Sequence, residues 1–196
     1  MALHGRLILA SRSPRRVELL GQLGLAPQIV PADIDETPEA NEDPASYVVR
    51  LACEKATTVA QLLSDETVTV LAADTTVDVD GVILGQPVDD EDARRMLLLL
   101  RGRAHLVHTG VAVIANGTMK SVVNTSLVTF HAFDDAQMQW YVATGEPRGK
   151  AGGYAIQGLG SMLVASIRGS ISGVIGLPLH ETAELLGMTL LDEHGH

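Results

Sequence analysis

Hydrophobic and polar positions alternate along the chain in blocks that predict short strands and amphipathic helices. Leu7 to Ala10 is an apolar run of strand length, and after a polar segment leucines recur at helical spacing up to Leu23. Ser13 is a good N-cap, and Pro14 suits the first helical position. The pattern therefore predicts a strand, a loop and a helix that ends near Gly24.

The next blocks continue this alternation of strand and helix. A second helix is predicted from Asp43-Pro44 to Leu62, and the apolar run Val68 to Ala73 predicts another buried strand. Asp74 interrupts that run, so we expect it at the end of the strand. Asp80-Gly81 then predicts a hairpin turn within Val77 to Leu84.

The second half of the chain is rich in hairpins. Asp90 to Leu100 has helical spacing, and Asn116-Gly117 joins two strands, Leu106 to Ile114 and Val122 to Phe133. The remaining pattern predicts a helix over Asp135 to Thr144, short β segments between glycines over Gly152 to Ile175, and a last helix from about Pro178 to Leu186. Early strand–helix alternation followed by hairpins predicts an α/β fold with a mixed β-sheet and flanking helices.

Composition indicates a folded chain and excludes two classes of partner. With 196 residues, 46% of them apolar, the chain can bury a substantial core. Its apolar runs are shorter than the roughly 20 residues that cross a bilayer. Only four apolar residues follow Arg6, too few for a secretory signal, so we expect a cytoplasmic protein with no membrane partner. A net charge of −10 argues against binding of polymeric nucleic acid, because that needs phosphate neutralisation by Lys and Arg.

The loop after the first strand combines hydroxyl and guanidinium groups. Ser11, Ser13, Arg15 and Arg16 surround a helix N-terminus, where free N–H groups attract anions and guanidinium groups match phosphate oxygens. The alternative is an ordinary cap flanked by solvated arginines. Because cations oppose the helix dipole at that end, the arginines favour a phosphate site.

Carboxylates recur at expected loop and strand-end positions. Asp33, Asp35 and Glu36 precede the second helix, and Asp74 follows a buried strand. Such oxygen ligands suit a divalent cation, Mg²⁺ or Mn²⁺, which neutralises a polyphosphate and acidifies water. Taken singly, each also fits a cap or a solvated loop. Asp74 stands out because ligands gather at the carboxyl ends of strands in α/β sheets.

Two lysines and a glycine-rich stretch are further candidates for ligand contacts. Lys55 and Lys150 suit phosphate oxygens, with a snorkelling or solvated side chain as the alternative. The glycines from Gly149 to Gly158 allow close approach of backbone to a ligand, and Gln157 offers a donor and an acceptor to a base edge. A plain glycine-rich turn is the alternative.

Four segments, in order along the chain, resemble the Maf-like nucleotide pyrophosphatases. They are Leu9 to Leu20, Ala73 to Val77, Lys150 to Gly158 and Val174 to Leu179, with Asp35-Glu36, Glu54-Lys55 and Thr109-Gly110 between them. The resemblance runs nearly end to end, which implies one Maf-like domain over residues 1–196. It also implies two lobes around a nucleotide-binding cleft, similar to inosine triphosphate pyrophosphatases, a homodimer and a required divalent cation.

The resemblance further implies an activity and residue roles. The activity is hydrolysis of a nucleoside triphosphate between its α- and β-phosphates, which releases a nucleoside monophosphate and pyrophosphate. By resemblance, Asp74 is the general base, and Glu36 and Asp74 are the metal ligands. The phosphate contacts are Ser11, Arg16, Lys55 and Lys150.

Base preference and one departure from the family also follow from the resemblance. Members that prefer dTTP and UTP resemble this chain at Arg15, Thr75 and Gln157, which implies pyrimidine or broad specificity. Gln86 stands in the substrate site where the family usually has lysine. It keeps hydrogen bonding but loses a positive charge, so we expect weaker phosphate binding or a lower rate, with substitution by another cation as the alternative.

Two functions compete at this stage. The first is an enzyme that removes surplus or modified nucleoside triphosphates before they enter nucleic acid. The second is a regulatory nucleotide-binding protein of cell division, since the family is also linked to septum formation and Gln86 would suit weakened catalysis. The presence of both Asp74 and Glu36 favours the enzyme.

Overall fold

One mixed β-sheet flanked by α-helices forms the frame of the molecule, as the hydrophobic pattern predicts. The structure, a computed structural model, describes residues 5–63 and 67–188, so parts of the predicted 1–196 domain lie outside the described residues. The strands are β1 (Leu7–Leu9), β2 (Gln28–Ile29), β3 (Thr69–Val79), β4 (Val82–Leu84), β5 (Ala104–Ala115), β6 (Thr118–Phe130) and β7 (Val164–Arg168). The helices are α1 (Pro14–Gln22), α2 (Pro44–Leu63), α3 (Asp90–Leu100), α4 (Asp135–Ala143), α5 (Ile171–Ile175) and α6 (Leu179–Leu185). Within the described ranges, no helix has the length and hydropathy to span a bilayer.

The sheet has a gap beside β3, because β1 is much shorter than β3. The order is β2-β1-β3-β5-β6-β7, with β4 also paired to β3. β1 pairs in parallel with β2 and β3, whereas the other pairs are antiparallel. β1 reaches only Leu71 of β3, while β3 continues beside β5 as far as Asp78. The stretch of β3 beyond Leu71 therefore has no β1 beside it.

Alternate residues of β3 face different helices, as the two-residue period of a strand requires. Leu71 and Ala73 belong to a buried cluster with α1 leucines, against which α6 packs. Val70 and Ala72 belong to a second cluster, with apolar residues of α2. Further along, Val77 enters a third cluster with α3 and α4. Three buried clusters thus lie around β3.

Both predicted hairpin turns are confirmed, and their backbone explains why the residues signal them. Asp80 and Gly81 have φ of 56° and 80°, and Asn116 and Gly117 have φ of 50° and 70°. Two successive positive φ values define the turn that matches strand twist, and Asn-Gly and Asp-Gly pairs tolerate them best. The predicted helices over α1, α2, α3, α4 and α6 are also confirmed within a few residues.

Two predictions about strands are wrong. Asp74 does not end its strand, because backbone pairing with β5 continues to Asp78 and pairing with β4 continues to Val79, and polar side chains do not interrupt it. The stretch Gly152 to Ile175 holds only one strand, β7, and is otherwise built of 3₁₀ turns, at Ala151–Gly153 and Leu159–Leu163, and α5. Positive φ values at Gly152 and Gly153 curl the backbone away from a sheet ladder.

Candidate active site

A cleft of about 950 Å³ opens beyond the carboxyl end of β1. Its volume lies in the range of small-molecule sites, about 300–1,000 Å³. The structure brings all ten predicted site residues to its lining: Ser11, Arg15, Arg16, Glu36, Lys55, Asp74, Thr75, Gln86, Lys150 and Gln157. Asp33 also lines the cleft, whereas the carboxylate of Asp35 instead accepts the backbone N–H of Thr37 at 2.9 Å.

Two carboxylates meet a single ammonium group inside the cleft. Lys55 Nζ donates to Asp74 Oδ1 at 2.7 Å and lies 2.6 Å from Glu36 Oε1. Lys55 comes from α2 and Asp74 from β3, and both side chains are nearly buried, whereas the side chain of Glu36 is 53% exposed. The carboxylates thus share one point of positive charge, although Glu36 lies 38 positions before Asp74.

Burial decides the acid–base character of Asp74. Loss of hydration raises the pKa of its carboxyl group, while the charges of Lys55 and Arg16 act in the opposite direction and that of Glu36 adds to the rise. A carboxylate with a raised pKa is a stronger proton acceptor than an exposed aspartate. Burial thus favours proton uptake by Asp74, which is the property that a general base needs.

The donor set suits one hard divalent cation that shares its coordination with a ligand. Within 5–63 and 67–188, no three His, Cys, Asp or Glu side chains form a group able to hold a metal by themselves. Glu36 Oε1 and Asp74 Oδ1 both contact Lys55 Nζ, which leaves the second oxygen of each carboxylate for a cation beside the ammonium group. Mg²⁺ commonly binds through one or two carboxylates, with water and substrate phosphates completing its shell. The residues present fit that mode.

Arg16 is fixed in the cleft by three hydrogen bonds to protein. Its Nε donates to the Gly176 carbonyl at 2.9 Å, and its terminal nitrogens donate to Ser11 Oγ at 3.0 Å and Thr75 Oγ1 at 3.2 Å. Thr109 Oγ1 lies 3.0 Å from Thr75 Oγ1 and donates to a carbonyl of α5. Of the five N–H donors of Arg16, two are left for an anion.

Two other cations that line the cleft, Arg15 and Lys150, form no ion pair with the residues that the structure describes. Arg15 Nε is buried without a hydrogen-bond partner among the described residues, and burial lowers the pKa of Arg15. Burial also lowers the pKa of Lys150, and the charge of Arg15 adds to that effect. Ser11 Oγ accepts from Arg16 and from the Ser13 backbone N–H, so its own proton is free to donate. Ser11 and Lys150 thus offer polar hydrogens to an anion in the cleft.

A glycine brings two loops together at the rim of the cleft. Gly152 has φ of 67°, and a Cβ there would lie 2.8 Å from Val77 Cγ2, so a larger residue does not fit. Its N–H donates to the Gly85 carbonyl at 3.0 Å, which joins the loop of Gln86 to the loop of Gln157. Both glutamines are exposed, and their side chains are accessible to a ligand.

The family model described as Maf-like protein matches residues 6–189 of this chain. This chain belongs to the Maf-like family. Curated Maf-like relatives include three proteins named dTTP/UTP pyrophosphatase, and each alignment covers 92% of this chain. The protein of Anaeromyxobacter dehalogenans (strain 2CP-C) is 53% identical over 92% of its own length, that of Methylobacillus flagellatus 51% over 91%, and that of Shewanella oneidensis 52% over 96%. A solved structure, the Staphylococcus aureus Ham1 protein, gives a TM-score of 0.47 at 16% identity over 64% of this chain and 71% of that one.

The sequence patterns missed two residues of this Maf-like cleft. Glu146 accepts the backbone N–H groups of Leu159 at 2.8 Å and Gly160 at 2.7 Å, and Tyr141 Oη donates to it at 3.0 Å. It thereby anchors the loop that carries Gln157. Arg148 lines the rim and pairs with a carboxylate at the start of α3, 3.2 Å away. No periodic pattern signals these residues, because Glu146 meets its backbone partners 13 and 14 positions away and Arg148 meets Asp90 58 positions away.

Proposed function

We propose that this chain is a metal-dependent nucleoside triphosphate pyrophosphatase that acts on dTTP and UTP. The observation that carries this proposal is the pair of carboxylates, Glu36 and Asp74, joined by Lys55. The same cleft contains Arg15 and Lys150, which have no ion-pair partner within residues 5–63 and 67–188. Such a cleft combines a base with a polyphosphate site. The relatives named dTTP/UTP pyrophosphatase, about half identical to this chain, support the choice of nucleotides.

In the proposed reaction, water attacks a phosphorus atom of the α–β anhydride. Asp74 takes the proton of the water as the new P–O bond forms, and the bridging P–O bond breaks to release pyrophosphate. A nucleoside monophosphate remains. Ser11, Arg15, Arg16 and Lys150 bind the phosphate oxygens and stabilise the negative charge that develops on them.

Glu36 and Asp74 would hold the divalent cation, which supplies charge neutralisation to the polyphosphate and lowers the pKa of water. Lys55 keeps both carboxylates at one place through its contacts of 2.6 and 2.7 Å. Thr75 orients Arg16, and Gln157 offers its amide to the pyrimidine edge. The predicted roles of Gln86, the two lobes, the homodimer and the cytoplasmic location stay predictions.

Pyrophosphate release from dTTP, UTP, CTP, GTP and 7-methyl-GTP, with Mg²⁺, with Mn²⁺ and with a chelator, tests the proposal. We expect chelator-sensitive turnover that favours dTTP and UTP, and a loss of about 10²- to 10⁴-fold in Asp74→Asn, the usual range for removal of a general base. Asp135→Asn is the matched control, because Asp135 is exposed and pairs with Arg101 at the surface. Nucleotide binding without turnover would instead support the regulatory function.

A further inference from the structure

Glu36 depends on neighbouring elements for its position. It lies in the irregular segment over residues 30–43, between β2 and α2, where the backbone forms neither helix nor strand. Its side chain is half exposed, and its contact with Lys55 is an ion pair near the surface of the cleft. Other contacts must therefore fix the backbone that carries it.

Tyr47 of α2 holds that backbone directly. Tyr47 Oη donates to the main-chain carbonyl of Glu36 at 2.9 Å, and the tyrosine side chain is buried beside Ile34 of the same segment. The tyrosine hydroxyl group thereby ties α2 to the main chain at Glu36 itself.

Arg50, one turn further along α2, holds the second half of the segment. Its guanidinium group forms a two-pronged pair with Glu42, at 2.6 and 2.7 Å, and also donates to the Thr37 carbonyl at 3.3 Å. A third contact, to Glu54 at 3.2 Å, orients the guanidinium group from its own helix. Such forked, charge-assisted pairs are the stronger kind of hydrogen bond. Tyr47 and Arg50 thus hold the segment on both sides of Glu36.

We infer that Tyr47 and Arg50 are positioning residues that hold the Glu36 carboxylate where it binds the divalent cation. Neither lines the cleft, so both act through Glu36. The inference rests on the proposed function, since Glu36 is a metal ligand only there. Helix α2 also supplies Lys55, so a single helix aligns the backbone and the side chain of Glu36 with Asp74.

Mn²⁺ binding to the full chain, followed by the EPR signal of the free ion, tests the inference without turnover. Tyr47→Phe removes one hydrogen bond and keeps the ring, so we expect the dissociation constant to rise roughly two- to tenfold. Arg50→Lys keeps the positive charge but loses the two-pronged pair with Glu42, and it should raise the dissociation constant by a similar factor. Thr57→Val is the matched control, because it removes one side-chain-to-backbone hydrogen bond of α2 that does not reach the segment.

Hydrogen exchange of the peptide over residues 30–43 supplies the second measurement. Amide hydrogens of this peptide should exchange faster in Tyr47→Phe and Arg50→Lys than in wild type and Thr57→Val. If the enzyme is active, excess metal should restore the kcat of Tyr47→Phe and Arg50→Lys. Equal Mn²⁺ affinity or equal exchange in Tyr47→Phe and Thr57→Val would overturn the inference, as would wild-type affinity no higher than that of Glu36→Gln. Failure of the proposed function would show itself separately, as absent pyrophosphate release from a protein that still binds Mn²⁺.

Discussion

Gly110 allows α2 to pack directly against the sheet, which makes it a sharp test of how the fold supports the site. A Cβ at this position would collide with the main-chain carbonyl of Val48 and lie 2.7 Å from the backbone nitrogen of Val49. Both are backbone atoms of α2 and cannot rotate away. Gly110→Ala would therefore push the helix outward, next to the point where β5 pairs with Asp74.

The loss of stability expected for Gly110→Ala follows from the clash of the added methyl group with backbone atoms. Overpacking of a close-packed interior costs about 1–3 kcal/mol, and a clash with backbone belongs in the upper half of that range. Gly21→Ala is the matched control, because Gly21 lies exposed in α1 with nothing within 4 Å of an added Cβ. There the same methyl group should stabilise the helix by about 0.5–1 kcal/mol. The same glycine-to-alanine change should thus lower the free energy of unfolding at Gly110 and raise it at Gly21.

Activity should fall together with stability at Gly110 alone. Lys55 lies two turns beyond Val48 on α2, so an outward shift lengthens its 2.7 Å contact with Asp74. Misplacement by about 1 Å costs as much as 10²-fold, so we expect kcat/KM to drop by about 10- to 100-fold. Urea unfolding followed by circular dichroism gives the free energies, and pyrophosphate release gives kcat/KM. Equal stability of Gly110→Ala and wild type, or the same sign for both variants, would refute this account of the packing.

Three further predictions concern individual side chains. Burial lowers the pKa of His105 to about 4, so between about pH 6.5 and 4 the imidazole takes up a proton in the unfolded chain but not in the folded one. The free energy of unfolding should therefore fall by about 3 kcal/mol over that interval. In urea unfolding measured against pH, His105→Gln should remove this loss. Glu146→Gln places an amide donor or a weaker acceptor against two backbone N–H groups, so KM for dTTP should rise about 5- to 100-fold with little change in kcat. An unchanged KM would contradict the role of Glu146 as anchor of the Gln157 loop. Arg16→Lys loses the fork that joins three partners, so kcat/KM should fall at least about tenfold in steady-state kinetics, whereas full activity would show that charge alone suffices.

Local signals in the sequence predicted the fold well wherever the backbone itself demands a residue type. Asn116-Gly117 and Asp80-Gly81 mark hairpins because few other pairs accept two positive φ values in succession. The end of β3 was mispredicted for the opposite reason. Asp74 looks like the end of a strand because it is polar, yet β5 supplies the hydrogen bonds that continue the ladder. Pairing with a distant strand has no local signature.

Some features of the candidate site could likewise be predicted from the sequence, and others could not. Residue type and the family resemblance selected side chains that the structure brings to one cleft, Asp74 and Glu36 among them. The position of Lys55 between these carboxylates could not be predicted, because it depends on how α2 crosses the sheet. Tyr47 fits an apolar stripe of that helix, and only the fold reveals that its hydroxyl group reaches the Glu36 carbonyl.

The gap beyond β1 explains how neighbouring residues of one strand serve the same cleft. Asp74 and Thr75 point to opposite faces of β3, where Asp74 meets Lys55 of α2 and Thr75 meets Arg16 of α1. In a continuous sheet, a neighbouring strand would separate these two faces. Because β1 ends at Leu9 and the chain then turns into Ser11 and α1, a ligand in the gap reaches both. Early termination of β1 thus places Asp74, the proposed base, on one side of the cleft and Arg16, a proposed phosphate contact, on the other.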